Sequence, residues 1–126
     1  IGNRVVLLFY PAAFTGVCTK EICTFSGSMN RMEAAEAEVF GISVDGIFAN
    51  AAFADANDIN FPLLSDTNRQ ATRAYGVDIP FVMPDYTASQ RSVFVIDEVG
   101  KISYAWVAEN PGIEPDYEAI LEHLES

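Results

Sequence analysis

The feature that most constrains this chain is Val5-Val6-Leu7-Leu8-Phe9-Tyr10, a continuous apolar run closed by Pro11. β-Branched and aromatic residues without polar alternation describe a strand buried on both faces. Such a strand belongs in the middle of a sheet, and proline, lacking an N–H, ends it. Thr15 then stands where a helix N-cap would, and Cys18, Ile22, Phe25, Met29 and Met32 follow at spacings of four, three, four and three. One apolar stripe at that period predicts a helix over 16–37. The chain therefore begins with a buried strand, a short loop and a helix packed back on the strand.

Val39 to Val44 reads as a second short buried strand, and Asp45-Gly46 turns out of it. An alanine-rich helix from Phe48 to Asn57 follows, then a helix from Thr67 to Tyr75 ended by Gly76. The stretch from Ile79 to Gln90, with Pro80 and Pro84, reads as irregular. Arg91 to Ile96 and Lys101 to Val107 pair as strands across the turn Asp97-Glu98-Val99-Gly100. Ile113, Tyr117, Ile120, Leu121 and Leu124 recur at helical spacing and predict a closing helix. A βαβ unit followed by a ββα unit is the order of a thioredoxin-like α/β fold, with helices on both faces of a central sheet. At 126 residues the expectation is one domain over 1–126.

Composition removes whole classes of function. The chain has 18 acidic against 7 basic residues, a formal net charge of −11. Phosphate backbones and anionic membranes need clustered Lys and Arg, so neither nucleic acid nor a membrane is an expected partner. Only Lys20 and Lys101 are lysines, and an acidic, lysine-poor surface suits either a high-salt solvent where carboxylate repulsion is screened or ordinary solubility through net charge. No apolar run reaches the ~18 residues of a spanning helix, and the expected location is cytoplasmic. Two cysteines and one histidine make neither a disulfide scaffold nor a four-ligand zinc site, so no metal is expected. His123 reads as a solvated residue near a helix end, and Trp106 as packing.

Cys18 is the residue with chemistry. It lies in the first turn of the predicted helix, where unpaired N–H groups and the macrodipole favour an anion. Both favour the thiolate, which is the nucleophilic form. Thr15 offers a hydroxyl at the helix start, and Pro11 shapes the loop. The competing reading makes Cys18 a small hydrophobe on the apolar stripe. Ionisation alone accomplishes little. A free thiol is a few per cent ionised at neutral pH, so full ionisation gains roughly 30-fold, and the weaker nucleophile returns about tenfold of that. An efficient site must therefore also position and stabilise the reacting partner.

Pro11-x-x-x-Thr15-x-x-Cys18, after a strand ending Phe9-Tyr10-Pro11, resembles the active-site signature of the peroxiredoxins. Phe61-Pro62-Leu63-Leu64-Ser65-Asp66, Tyr75-Gly76-Val77 and Arg91-Ser92-Val93-Phe94-Val95-Ile96-Asp97 are similar to further segments of that family in the same order. The resemblance implies a peroxidase without cofactor. Cys18 becomes the peroxidatic cysteine. Thr15 and Arg91 orient the peroxide with the N–H groups near Val17 and Cys18, and Pro11 shields the site. Read by itself, Arg91 opens an apolar strand, where its guanidinium is either aimed at the thiolate from a neighbouring strand end or, as the motif-free default, an exposed strand-end charge with a surface carboxylate partner. Peroxiredoxins usually carry strands before the first one seen here, so these are expected to be absent from the sequence as given.

Cys23, five residues after Cys18, and Glu21 between them resemble the Cys-x-x-Glu-x-Cys run of the peroxiredoxin Q, or bacterioferritin comigratory protein, subfamily. That likeness implies that Cys23 resolves the Cys18 sulfenic acid as an intramolecular disulfide. Thioredoxin or a similar dithiol would recycle the enzyme, as a monomer or homodimer. Two alternatives stay open. Pro-x-x-Phe-Thr-Gly-x-Cys also resembles the one-cysteine alkyl hydroperoxide reductase E group, in which an external thiol resolves Cys18. A non-catalytic peroxide sensor would use the same thiol. A thioredoxin-type oxidoreductase would need Cys-x-x-Cys, and a plant-type iron–sulfur site further cysteines; the chain has neither.

Overall fold

The computed structural model describes residues 4–81, 83–110 and 112–125. Along the chain run β1 (Arg4–Phe9), α1 (Gly16–Gly27), α2 (Met29–Ala34), β2 (Ala37–Ser43), α3 (Ile47–Ala56) and β3 (Leu63–Ser65). Then come α4 (Gln70–Ala74), β4 (Asp78–Phe81), β5 (Met83–Ser89), β6 (Ser92–Ile96), β7 (Ile102–Val107) and α5 (Tyr117–Glu125). The apolar run is the central strand of a sheet ordered β3-β2-β1-β6-β7. β1 is parallel to β2 and antiparallel to β6, with Leu7 level with both Phe40 and Phe94.

Alternate residues of β1 feed two cores, as the period of a strand requires. Val6, Leu8 and Tyr10 face Ile22 and Phe25 of α1, Met32 of α2, Phe53 of α3 and Ile120 and Leu124 of α5. Phe9 faces the other way, onto Ile42, Phe94, Ala71 of α4 and Tyr75 just after it. Helices thus cover both faces, as expected of a thioredoxin-like order. No described helix is long and apolar enough to cross a membrane.

Several expectations are corrected. The helix over 16–37 is two helices broken at Ser28, whose hydroxyl bonds back to the Thr24 carbonyl and whose N–H bonds to Phe25. Met29 and Met32 stay buried past the break, so the stripe continues in phase and conceals it. The second strand begins earlier, at Ala37, after Glu36 turns the chain with φ of 58°. The helix expected over Thr67 to Tyr75 shrinks to α4, because Asp66 takes the N–H groups of Ala71 and Thr72 and starts it late. The stretch from Ile79 to Gln90 is not irregular: β4 and β5 pair as a separate two-stranded ribbon, with a register shift at Pro80/Phe81. A ribbon that is all edge tolerates proline, which a central strand does not. Val82 and the side chain of Pro84 lie outside the described residues. β3 went unpredicted, and His123, still partly exposed near the end of α5, shares a hydrogen bond with Ser103 of the edge strand at 2.9 Å.

One consequence of register matters for chemistry. Phe9 is level with Ser92, so the end of β1 and the start of β6 meet at one end of the sheet. The α1 N-terminus returns to that same end. Residues 10–18 and Arg91, far apart in sequence, become neighbours.

Candidate active site

Cys18 is the third residue of α1 and is 1% exposed, within the core formed by α1, α2, α5 and β1. Arg91, just before β6, is equally buried and sends Nη2 to Cys18 Sγ at 3.2 Å. Its Nη1 donates to Glu21 Oε1 at 2.7 Å, a short charge-assisted bond. Glu21 is one helical turn beyond Cys18, so both present to the same guanidinium. Of the two readings of Arg91, the guanidinium aimed at the sulfur matches this placement and the exposed strand-end charge does not. Register buries it, and Glu21 compensates the charge.

The electrostatics of this trio are asymmetric. Burial pushes the Glu21 carboxyl up to about 7, against the pull of the Arg91 guanidinium. Its Oε2 has no hydrogen-bond partner among the described residues, which explains why burial prevails. Burial opposes the Arg91 charge as well, but the Glu21 carboxylate and the Cys18 sulfur outweigh it and hold the guanidinium above its ordinary value.

Loop 10–15 forms the other wall. Pro11 is buried at the end of β1. Thr15 occupies the N-cap position in an extended conformation but does not cap the helix: its hydroxyl donates to the Ala12 carbonyl at 2.9 Å. Its own carbonyl accepts from the N–H and hydroxyl of Thr19. The first-turn N–H groups, those of Val17 and Cys18 included, cannot be satisfied within the helix, and no acidic side chain stands in that turn. The loop is pinned from below, where Ala13 N–H donates to Asp45 Oδ2 at 2.8 Å and the Tyr10 hydroxyl to Asn50 Oδ1 at 2.6 Å. Burial pushes the Tyr10 phenol well above its ordinary value, keeping it a hydrogen-bond donor.

The matches to known proteins fit this geometry. The AhpC/TSA family matches residues 1–105. The chain belongs to the AhpC/TSA family of peroxiredoxins. It is 36% identical to peroxiredoxin Bcp of Escherichia coli over 107 residues, covering 83% of this chain and 69% of that protein. It is 32% identical over 134 residues to the chloroplastic 2-Cys peroxiredoxin BAS1 of Hordeum vulgare, covering all of this chain and 61% of that protein. Among solved structures, peroxidoxin BcpB of Mycobacterium tuberculosis superposes with a TM-score of 0.86 at 32% identity, covering 97% of this chain and 78% of that one. The chain spans only about half to three-fifths of the plant relatives, 48–61% of their length.

In this AhpC/TSA chain, Cys18, Arg91 and Glu21 are joined by direct hydrogen bonds, and Pro11 and Thr15 lie in the loop leading to Cys18. Cys23 is apart. It is half-buried on a different side of α1, and its thiol donates to Asn57 Oδ1 at 3.7 Å. Sequence reasoning missed Asp45 and Asn50, which hold the loop. The signal was there in part, since Asp45-Gly46 closes the strand beside β1.

Proposed function

We propose that this chain is the catalytic part of a thiol peroxidase that reduces hydrogen peroxide and organic hydroperoxides through Cys18. The observation that carries the reading is the buried Arg91–Cys18 hydrogen bond at the start of α1, next in sequence to the Pro11–Thr15 loop. The Cys18 thiolate attacks one peroxide oxygen, the O–O bond breaks, and sulfur becomes sulfenic acid. The other oxygen leaves as hydroxide or alkoxide and takes a proton to give water or an alcohol.

Each group has a part set by its bonding. Thr15 commits its proton to the Ala12 carbonyl, so its oxygen presents lone pairs and accepts the peroxide O–H. The N–H groups at the start of α1 and Arg91 are donors, suited to the oxygen on which charge develops. Pro11 contributes no N–H and, buried in the loop, shields the thiol from water. Glu21 is a positioning residue, because it touches Arg91 and fixes where the guanidinium points.

Recycling calls on Cys23. With Cys18 buried, a protein reductant cannot reach its sulfur while α1 is intact, whereas Cys23 is half-exposed. Cys23 attacks the sulfenic acid, water leaves, and the Cys18–Cys23 disulfide is then reduced by thioredoxin or a similar dithiol. Five residues along a helix place Cα atoms roughly 8–9 Å apart, beyond the ~7 Å a disulfide tolerates, so α1 must unwind locally.

Steady-state peroxide reduction with a thioredoxin system tests the reading. Cys18→Ser is expected to lose at least ~99% of turnover, as removal of a nucleophile does. Cys23→Ser should keep the first oxidation but stall afterwards. Retained activity in Cys18→Ser would sink the assignment, and full cycling by Cys23→Ser would move the chain to the one-cysteine mechanism.

A further inference from the structure

The side of α1 that carries Cys23 is fastened to a turn with no part in peroxide chemistry. Cys23 and Ser26, three residues apart, share a helix face. Cys23 Sγ donates to Asn57 Oδ1 at 3.7 Å. The Ser26 hydroxyl donates to Asn60 Oδ1 at 2.8 Å and accepts from the Asn60 N–H at 3.3 Å. Both anchors belong to the connection from α3 to β3.

That connection is a rigid mount. The Ile59 N–H bonds the Ala54 carbonyl at 3.0 Å, the Asp58 N–H reaches the Asp55 carbonyl, and Asp58 adopts a left-handed φ of 51°. This is the double-bonded helix ending that fixes the exit of a chain from an α-helix. Ile59 packs on the main core. The Asn57 amide is held in one orientation, since its Nδ2 donates to the Phe53 carbonyl at 3.0 Å, and this turns its oxygen toward Cys23. An amide oxygen only accepts, so the Cys23 sulfhydryl is the donor in this contact.

We propose that the turn from Asn57 to Asn60 is a clasp on α1 that sets the rate at which Cys23 reaches Cys18. The inference rests on the two-cysteine reading above. The chemistry is a competition at the Cys18 sulfenic acid. If Cys23 arrives, its sulfur bonds to Cys18, and the sulfenic oxygen leaves as water with the thiol proton. If α1 stays closed, a second peroxide oxidises the sulfenic acid to sulfinic acid and is itself reduced to water or alcohol. The clasp keeps α1 folded while the sulfenic acid forms and slows the arrival of Cys23 afterwards. Opening it frees both the backbone that must unwind and the thiol that must react.

The test follows one turnover by rapid mixing with hydrogen peroxide, alkylation quench and mass spectrometry. The proteins are wild type, Asn57→Ala, Ser26→Ala and the double variant. Each bond is worth a modest net amount, so each single variant should speed Cys18–Cys23 bond formation by roughly three- to tenfold, and the double variant by more. Sulfenic acid formation should stay within about twofold of wild type, and sulfinic acid at excess peroxide should fall. Hydrogen exchange of amides 22–27 in the reduced variants should be faster, with the rest of the fold unchanged, which separates release of the clasp from general destabilisation. Wild-type rates of bond formation in all three variants would overturn the clasp alone. A wild-type protein that never forms the bond would overturn the two-cysteine reading, and the clasp's role with it.

Discussion

The two sides of α1 are built by different physics. On one side Cys18, Glu21, Ile22 and Phe25 are at most 1% exposed, packed into the core and closed by a buried ion pair to Arg91. On the other, Cys23 and Ser26 are half-buried and held by side-chain hydrogen bonds to one turn. Apolar packing around a buried pair gives up its stabilisation only when the whole site opens, since a lone charge left inside costs several kcal/mol. Hydrogen bonds near solvent exchange with water at small net cost. One helix thus combines a rigid reacting face with a face cheap to release. Under the proposed two-cysteine mechanism the thiol meets peroxide in fixed geometry and then a second thiol elsewhere, which calls on both faces.

The rigid face is broken most severely at Arg91. Arg91→Ala removes the donor to Cys18 and should lower the second-order rate of sulfenic acid formation by ~10²–10³-fold, as removal of a preorganised donor typically does. The loss should persist when the reaction is run at alkaline pH. Stopped-flow measurement across pH checks this, and recovery of the full rate at high pH would reduce Arg91 to a role in ionisation. Stability should suffer less than for an ordinary broken pair. Glu21, already raised to about 7 beside the guanidinium, is expected to take up a proton once it is alone.

Glu21→Gln tests the same face from its other partner, with a smaller effect. In the folded state the carboxyl is raised from 4.5 to about 7, so the fold binds its proton more tightly than the unfolded chain does. Its contribution to stability is therefore full below about pH 4.5 and lost as the pH rises to about 7. That loss is on the order of 3 kcal/mol at most. Denaturant titrations of wild type should show this decline, and those of Glu21→Gln should lack it. The glutamine keeps an oxygen for Arg91 without the charge, so peroxide reactivity should fall by about tenfold or less. Parallel stability profiles for the two proteins would remove the protonatable pair from the account.

How much of this was legible beforehand depends on whether a residue's role is local. The apolar run, the stripe through Cys18 and the hairpin after Arg91 carry their periods in the sequence, and the sheet follows from them. The Pro11, Thr15 and Cys18 spacing carried the site. The break at Ser28 was hidden because Met29 and Met32 keep the phase of the stripe on a second helix. The β4–β5 ribbon was hidden because proline argues against central strands and says little about a free ribbon. Thr15 has the residue type and backbone of a cap, yet its hydroxyl is claimed by a carbonyl three residues back. The Glu21–Arg91 pair spans 70 positions, and only the register of β1 with β6 joins it. Asn57 and Asn60 resemble any polar residues after a helix, and their meaning comes entirely from what α1 places against them.

The smallest expected effect lies at the end of α1, where the cheap face runs out. Gly27 is the last residue of the helix, and a Cβ added there would meet nothing within 4 Å. Gly27→Ala therefore costs no space. It adds helix propensity, worth up to ~1 kcal/mol in a helix interior and less at an end, and it narrows the freedom of the unwound chain. Both effects oppose unwinding, so Cys18–Cys23 bond formation should slow by roughly two- to fivefold. Sulfenic acid formation should be unaffected, because Cys18 sits two turns away in packing that the substitution does not touch. The same single-turnover mass spectrometry reads both steps, and hydrogen exchange of amides 18–27 should report slower opening in step with the slower bond. Equal slowing of both steps would mean that the two faces are one cooperative unit. An unchanged disulfide rate would confine the unwinding to the turn between Cys18 and Cys23, with Ser26 still docked on Asn60.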